Sequence, residues 1–189
     1  MSGAVRIEPR SMADALNFLK AYKSNSNRAL QRSINLGAKQ GQKASVDEMN
    51  KKANLTKTVI RSHTKMYFSS ISSLQAKLVI KGEPIPLTSY GAKQTNTGIT
   101  FRIWKTGTRE KYKHAFFWTI VRERYTGIFE PNVDHPRFDG FGPYRRKSGP
   151  GIPTIYENTP GLAGKAEEIA AAAMLKELDR QIGLINKGY

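Results

Sequence analysis

An α+β fold is what this sequence predicts: N-terminal helices, then a small antiparallel β-sheet, then a long C-terminal amphipathic helix. Three observations lead there. Apolar residues recur at helical spacing near the start, alternate with polar ones between residues 74 and 130, and return to helical spacing after residue 160. The 189-residue chain reads as one domain, long enough to take about 70% of its unfolded surface out of water. Within it we distinguish a basic helical part (1–65), a β-sheet part (74–130), a Pro/Gly-rich loop (131–151) and a terminal helix (160–186).

Each element has its own signal. Ser11 with Asp14 three residues on resembles a helix cap, and Met12, Ala15, Leu16, Leu19 and Tyr22 follow at helical spacing, which predicts a short helix over 12–23. Ser24-Asn25-Ser26-Asn27 reads as a break and a new cap. The stretch from Arg28 to Val46 carries the clearest helical pattern. At about 100° per residue, Arg28, Arg32, Lys39 and Lys43 share a narrow arc. Leu30, Ile34, Gly37, Gly41 and Ala44 lie opposite, a small-residue stripe that lets a partner approach closely. Each glycine costs about 1 kcal/mol of helix propensity relative to Ala, which close packing has to offset. Asn54–Arg61 predicts a further short helix, with Leu55, Val59 and Ile60 as its apolar side.

The periodicity then changes. Leu74, Ala76, Leu78 and Ile80 alternate with Gln75, Lys77 and Lys81, the pattern of a half-buried strand. Ile99, Phe101 and Ile103 make a second strand, Ala115–Val121 a third and Tyr125–Phe129 a fourth; short connections imply antiparallel pairing. Residues 131–151 hold eight Pro or Gly around Arg145-Arg146-Lys147, and a loop of that length is functional or disordered. In the last helix Ala171, Leu175, Leu178, Ile182 and Ile185 form an apolar seam, expected to pack on the domain's own core and cover the sheet.

Charge is distributed unevenly. The chain has 31 Lys+Arg against 15 Asp+Glu, a formal charge of +16. Residues 1–80 carry a balance of +10, residues 81–150 of +7, and residues 151–189 of −1. A localised excess of this size attracts polyanions and repels other copies of the chain. Nucleic acid is the natural partner, through counterion release at phosphates. The plainer reading of the stripe at Arg28, Arg32, Lys39 and Lys43 is a solvated helix face.

Composition also excludes. Without cysteine there is no disulfide, no thiolate zinc site and no thiol nucleophile. The longest apolar run, Ile169–Leu175, falls far short of the roughly 18 residues of a membrane span, and Met1–Arg6 lacks a signal-peptide core. The expectation is a soluble protein of the cytoplasm, or of something assembled there. No phosphate loop, nucleophile elbow or His-Glu-x-x-His helix occurs, and His63, His114 and His135 are scattered. Glu130, Asp134, His135 and Asp139 could hold a divalent metal for nuclease chemistry. Acidic residues are equally at home in a Pro/Gly-rich loop for turn reasons. No catalytic residue, metal or cofactor is expected.

Aromatic and basic residues interleave at Tyr112, Lys113, His114, Phe116, Phe117 and Trp118, followed by Arg122 and Arg124. They could stack on single-stranded nucleic acid. A strand whose aromatics fill the core is the commoner explanation, with Phe117 and Val121 inward. The face of Phe116, Trp118 and Ile120 is apolar too and needs a neighbour, either the terminal helix or another subunit. A subunit interface there is at least as good a reading as stacking.

Taken in order, several segments resemble the minor tail protein Z family of tailed bacteriophages, a tail-completion family. They are Asn27-Arg28-Ala29-Leu30 entering the basic Ala/Gly-rich helix, the Leu55–Arg61 helix, and Gln75–Leu87, with its strand and Gly82-Glu83-Pro84-Ile85-Pro86 turn. Ala115-Phe116 opening a hydrophobic strand and Ile152-Pro153-Thr154-Ile155 before the last helix complete the set. The similarity covers roughly residues 25–185. Aromatic enrichment at 112–118 and the long Pro/Gly loop depart from it. The resemblance implies a non-catalytic virion protein at the head-proximal end of the tail. It would act as a homo-oligomeric, hexameric ring beside the tail terminator, the tail tube protein, the tape measure protein and the head–neck connector. Such a ring would meet phage DNA by backbone electrostatics, with Arg28, Arg32, Lys39 and Lys43 toward the channel and Phe116, Trp118 and Ile120 between subunits. The other class is a free, sequence-nonspecific nucleic-acid-binding protein.

Overall fold

A computed structural model describes residues 12–132, 134 and 143–187. Helix α1 (Met12–Lys52) is followed by α2 (Lys57–Ser62), strands β1 (Thr64–Tyr67), β2 (Lys77–Ile80), β3 (Ile85–Pro86), β4 (Lys93–Thr95), β5 (Gly98–Phe101), β6 (Glu110–Lys113), β7 (Phe116–Ile120), β8 (Tyr125–Pro131) and β9 (Tyr144–Gly149), then α3 (Ile152–Glu157) and α4 (Leu162–Asn186). The α+β class, the antiparallel pairing and the long C-terminal helix are as the sequence predicts.

The strands form three antiparallel sheets rather than one: β1–β2, β4–β5–β6 and β3–β9–β8–β7. Strand β1 carried no clear alternation, and pairing with β2 defines it. The short helix predicted from Asn54 begins only at Lys57, where the Thr56 hydroxyl accepts from the Val59 amide as its cap.

Four expectations are corrected. First, α1 is one 41-residue helix that runs straight through Ser24–Asn27, with no break. Ser and Asn cost only about 0.5 kcal/mol each inside a helix, and no Pro or Gly intervenes to stop propagation; the Ser11 cap lies outside the described residues. Second, the 131–151 stretch contains β9, so Arg145, Arg146 and Lys147 sit on a strand paired with β8 and not in a loop. Third, Phe117 and Val121 do not enter the core: they are 38% and 83% exposed. Strand β7 is the edge of its sheet, and the inward apolar residue there is Ile128 of the central strand.

The fourth correction concerns α4, which packs on α1 and not on the sheet. The two run antiparallel: Arg32 reaches Gln181, Gly37 meets Ala170 and Met174, Gly41 meets Ala166 and Ala170, and Glu48 binds Lys165. Buried positions of α1 follow an i, i+4 row through Ala29, Ser33, Gly37, Gly41, Ser45 and Met49. The predicted stripe is therefore right at the glycines and displaced elsewhere; Leu30 is 36% exposed. The Ser33 and Ser45 hydroxyls donate back to the Ala29 and Gly41 carbonyls, which satisfies them inside the seam. A Cβ at Gly37 would lie 2.7 Å from the Ala170 carbonyl oxygen, so the backbones touch where the glycine lacks one. Such a seam accepts Ala166, Ala170 and Met174. It leaves the predicted seam outside, with Leu175 56% and Ile182 45% exposed.

The hydrophobic core gathers at the other end of α1. Val46, Met49 and Ala53 pack with Ile60, Ile85, Leu87, Tyr90, Ile99, Phe101, Ile128, Ile152 and Ile155, all buried. Helix α1 thus begins far from the core, passes α4 and ends inside it.

Candidate nucleic-acid interface

Helical geometry sets Arg28, Arg32, Lys39 and Lys43 on one side of α1, and all four are exposed. Among the described residues none of them is in an ion pair. Arg32 alone is tied down by a hydrogen bond to the protein, donating from Nη1 to Gln181 Oε1 at 3.2 Å. Gln181 in turn donates to Glu177 at 2.6 Å, and Arg180 binds the same carboxylate at 2.6 and 2.8 Å. Arg180 first and Gln181 second hold the Glu177 carboxyl down at about 2, with the nearby Arg32 charge adding to them. The chain of contacts fixes Arg32 without neutralising it fully, since Glu177 is engaged mainly by Arg180.

Beside this row lies a shallow groove lined by Leu36 and Gln40 of α1 and by Ile169, Ala173, Lys176, Glu177 and Arg180 of α4. Lys176 therefore extends the positive surface onto the second helix, while Arg180 is paired with Glu177. On the opposite flank Lys39 stands over the Phe68 ring, 5.3 Å from its centroid, and Lys65 over Tyr67 at 4.9 Å. These two half-exposed rings, the last residue of β1 and the one after it, were not singled out from the sequence; their one signal was the run Lys65-Met66-Tyr67-Phe68. Ser69 pins them to α1: its amide donates to Asn35 Oδ1 at 2.8 Å, and its carbonyl accepts from Gln31 and Asn35.

The second predicted basic cluster is not one site. Strand alternation sends Arg146 to one face and Arg145 and Lys147 to the other. Lys147 is neutralised by Glu130 and lies 4.7 Å from the Tyr112 ring centroid, while Arg145 donates to Asn132 at 2.8 Å. Arg146 lies 4.3 Å from the Tyr125 ring centroid.

That Arg146 face is also the face of Phe116, Trp118 and Ile120. Phe116 packs edge-on to Tyr144 at 5.4 Å, and Trp118 packs edge-on to Phe129 at 5.5 Å and to Tyr144 at 5.2 Å. Gly127, opposite Trp118, makes room: a Cβ there would fall 2.6 Å from the Tyr125 ring. Trp118 remains 43% exposed, and neither α4 nor any other described helix covers this face. On the edge of the sheet, Gln94 of β4 accepts from the Phe117 amide at 3.3 Å and ties the two sheets together.

The acidic set proposed for metal chemistry is not assembled by what is described. Glu130 is bound to Lys147, Asp134 is exposed, and His135 and Asp139 lie outside the described residues. Among the described residues no group of three His, Asp or Glu could hold a metal ion. His63 uses its Nδ1 locally, 2.9 Å from the Val59 carbonyl, and His114 occupies the turn between β6 and β7 at φ 64°.

No family model, no curated protein and no solved structure matches this chain. Its surface chemistry is clear on its own terms. A row of exposed cations on a helix that packs against α4 attracts anionic groups such as phosphates. Among the described residues no helix is long and apolar enough to cross a membrane.

Proposed function

We propose that the chain is a non-catalytic structural protein of a phage tail, a tail-completion protein at the head-proximal end. In this reading copies form a ring that supports head–tail joining beside the tail terminator, tube and tape measure proteins and the head–neck connector, and the ring meets DNA through phosphates. The order of segments resembling the minor tail protein Z family supports the place. The observation that supports the DNA contact is the exposed row Arg28, Arg32, Lys39 and Lys43, ion-paired with nothing described, on a helix braced by α4. A closed ring suits an end-cap on a tube, and a positive lining holds DNA without reading it. Phe116, Trp118 and Ile120 supply an uncovered aromatic face for a neighbour.

The test is quantitative mass spectrometry of purified particles from the source phage. A low, fixed copy number consistent with one ring is expected, and absence from intact particles would overturn the assignment. The charge-reversed variant R28E/R32E/K39E/K43E is expected to fold normally and to lower DNA retention and infectivity; unchanged infectivity removes the channel role.

A second reading, a free sequence-nonspecific nucleic-acid binder, is favoured by the face that joins Trp118, Tyr125 and Tyr144 to Arg146, with exposed Arg122 and Arg124 at the adjoining turn. It requires tight binding of single strands by the isolated chain, weakened in Trp118→Ala, together with absence from particles.

A further inference from the structure

The hairpin of β1 and β2 exposes three large apolar side chains close together in sequence: Tyr67 is 48%, Phe68 52% and Ile71 49% exposed. One such residue is ordinary on a surface, whereas a cluster marks a place where something binds.

This cluster is held firmly against α1. At one end of β1 the Thr64 hydroxyl accepts from Gln42 at 3.3 Å. At the other, Ser69 is 4% exposed and bound to α1 through each of its polar groups. Its amide donates to Asn35 Oδ1 at 2.8 Å, its carbonyl accepts from Gln31 and Asn35 at 3.1 and 3.2 Å, and its hydroxyl donates to the Gln31 carbonyl at 3.2 Å. Beyond it Ser70 and Ser73 close the loop with two backbone hydrogen bonds of 2.9 and 3.2 Å. Tyr67 and Phe68 thus lie between two tethers, abreast of residues 31–42 and so of the middle of the basic row. Rings fixed in place lose little freedom when a ligand settles on them.

Each ring also has a cation beside it, Lys39 for Phe68 and Lys65 for Tyr67. From Met49 to Gly82 the sequence holds seven Lys or Arg and no Asp or Glu, and residues 15–46 hold no acid either. Glu167 of α4 lies with Met66 and Leu78 around the groove on the hairpin's other face. Cations alone hold duplex and single strand alike, through phosphates. Exposed rings add what only a single strand can use, because base faces in a duplex are stacked on one another. A membrane would meet the hairpin tip as a plane, whereas the charge here continues along α1 as a track. From Arg28 to Lys43 that track is about 22 Å long at 1.5 Å per residue.

We infer that the DNA met by the basic row is single-stranded where it crosses the hairpin, with phosphates on Arg32, Lys39 and Lys43 and bases stacked on Phe68 and Tyr67. This rests on the DNA contact proposed above and adds to it the form of the DNA.

The experiment is fluorescence anisotropy of the full chain with a labelled oligothymidylate and with a labelled duplex, at moderate salt. The native chain is expected to bind the single strand more tightly. Y67A/F68A is expected to weaken single-strand binding by about tenfold or more and to leave duplex binding unchanged. Its circular dichroism should match the native chain, since both rings are exposed. R28E/R32E/K39E/K43E is expected to weaken binding of both forms, and Trp118→Ala of neither. Should Y67A/F68A weaken both forms equally, or neither, the inference is overturned and the phosphate contact stands. Single-strand binding lost only in Trp118→Ala would overturn it too, by moving the stacking to the sheet face. A native chain that binds neither form removes the DNA contact itself. Phosphatidylglycerol vesicles form the last arm: vesicle binding abolished in Y67A/F68A, with single-strand binding intact, makes the hairpin a membrane contact and overturns the inference.

Discussion

The last turns of α1 and its middle are held by different means. Its last turns carry Val46 and Met49, with Ala53 just beyond, into a core of large apolar side chains, where Tyr90, Phe101, Ile99 and Ile155 are all at most 1% exposed. Its middle is held by a seam of Gly, Ala and Ser, hydrogen bonds and ion pairs at the rim, with large apolar side chains of α4 turned outward. Burial of apolar area is the main favourable contribution to folding. The core end therefore contributes most to holding the domain together, and the helix pair carries a basic row supported by little apolar burial. The row we propose to face DNA lies on this weakly held part, where local opening is least costly.

Breaking the core end should give the largest effect. Phe101 is 1% exposed and its ring lies 4.9 Å from that of Tyr112. Phe101→Ala is expected to cost about 3–5 kcal/mol, the range for deleting a buried aromatic ring. Chemical denaturation should show one transition shifted for the whole chain. A shift confined to the helix pair would contradict the division drawn here.

Breaking the helix pair should cost less and stay local. At Gly37 even a Cβ would press on the Ala170 backbone carbonyl at 2.7 Å, and backbone cannot turn aside as a side chain can. Gly37→Leu is expected to separate α4 from α1 at a cost of about 1–3 kcal/mol, the range for overpacking. Hydrogen exchange should quicken along α4, while the amides of β5 and β8 keep their protection. Equal loss of protection in both regions would show that the helix pair and the core unfold as one unit.

The same contrast explains what the sequence could and could not reveal. Periodicity marks the existence of α1, α4, β2, β5 and β8, each with a more covered side, and β7 stands out by its aromatic run although neither of its faces is closed over. It does not mark β1 or β9, whose residues Thr64–Tyr67 and Tyr144–Gly149 are strands through pairing and not through an apolar face of their own. Gly37 and Gly41 announced a close approach, but not which helix makes it, and the larger apolar residues of α4 pointed to the wrong seam. The basic row was legible because a charge on a helix faces water by default. Its neighbours Tyr67 and Phe68 were not, since Ser69 brings them to α1 through hydrogen bonds that no spacing rule encodes. The splitting of Arg145, Arg146 and Lys147 follows from the strand that a Pro/Gly-rich composition concealed.

The smallest effect sharpens the comparison most, because pH should act on the two regions in opposite directions. Glu48 of α1 is held down at about 2 by hydrogen bonds from Lys165 of α4 and from Lys51, and Glu177 of α4 is held down at about 2 by Arg180 and Gln181. A carboxylate depressed in the folded state stabilises it above its unfolded value of about 4.5, and that contribution fades as pH falls toward 2. Both groups belong to the helix pair and sit at its rim, so water and salt keep the effect modest. In the core, burial pushes the Tyr90 hydroxyl, which donates to the Pro150 carbonyl at 2.5 Å, well above its usual range. There the sign reverses: the unfolded chain ionises its tyrosine first, and stability is lost as pH rises past about 10. Acid between pH 4.5 and 2 is therefore expected to lower protection along α4, taken relative to the intrinsic exchange rate at each pH, before protection of the core, and alkali above pH 10 to lower the global denaturation midpoint. E48Q/E177Q should remove the acid response and leave the alkaline one, and Tyr90→Phe the converse. An acid response that persists in the double variant would place the pH-sensitive contact elsewhere than at the two ends of the α1–α4 seam.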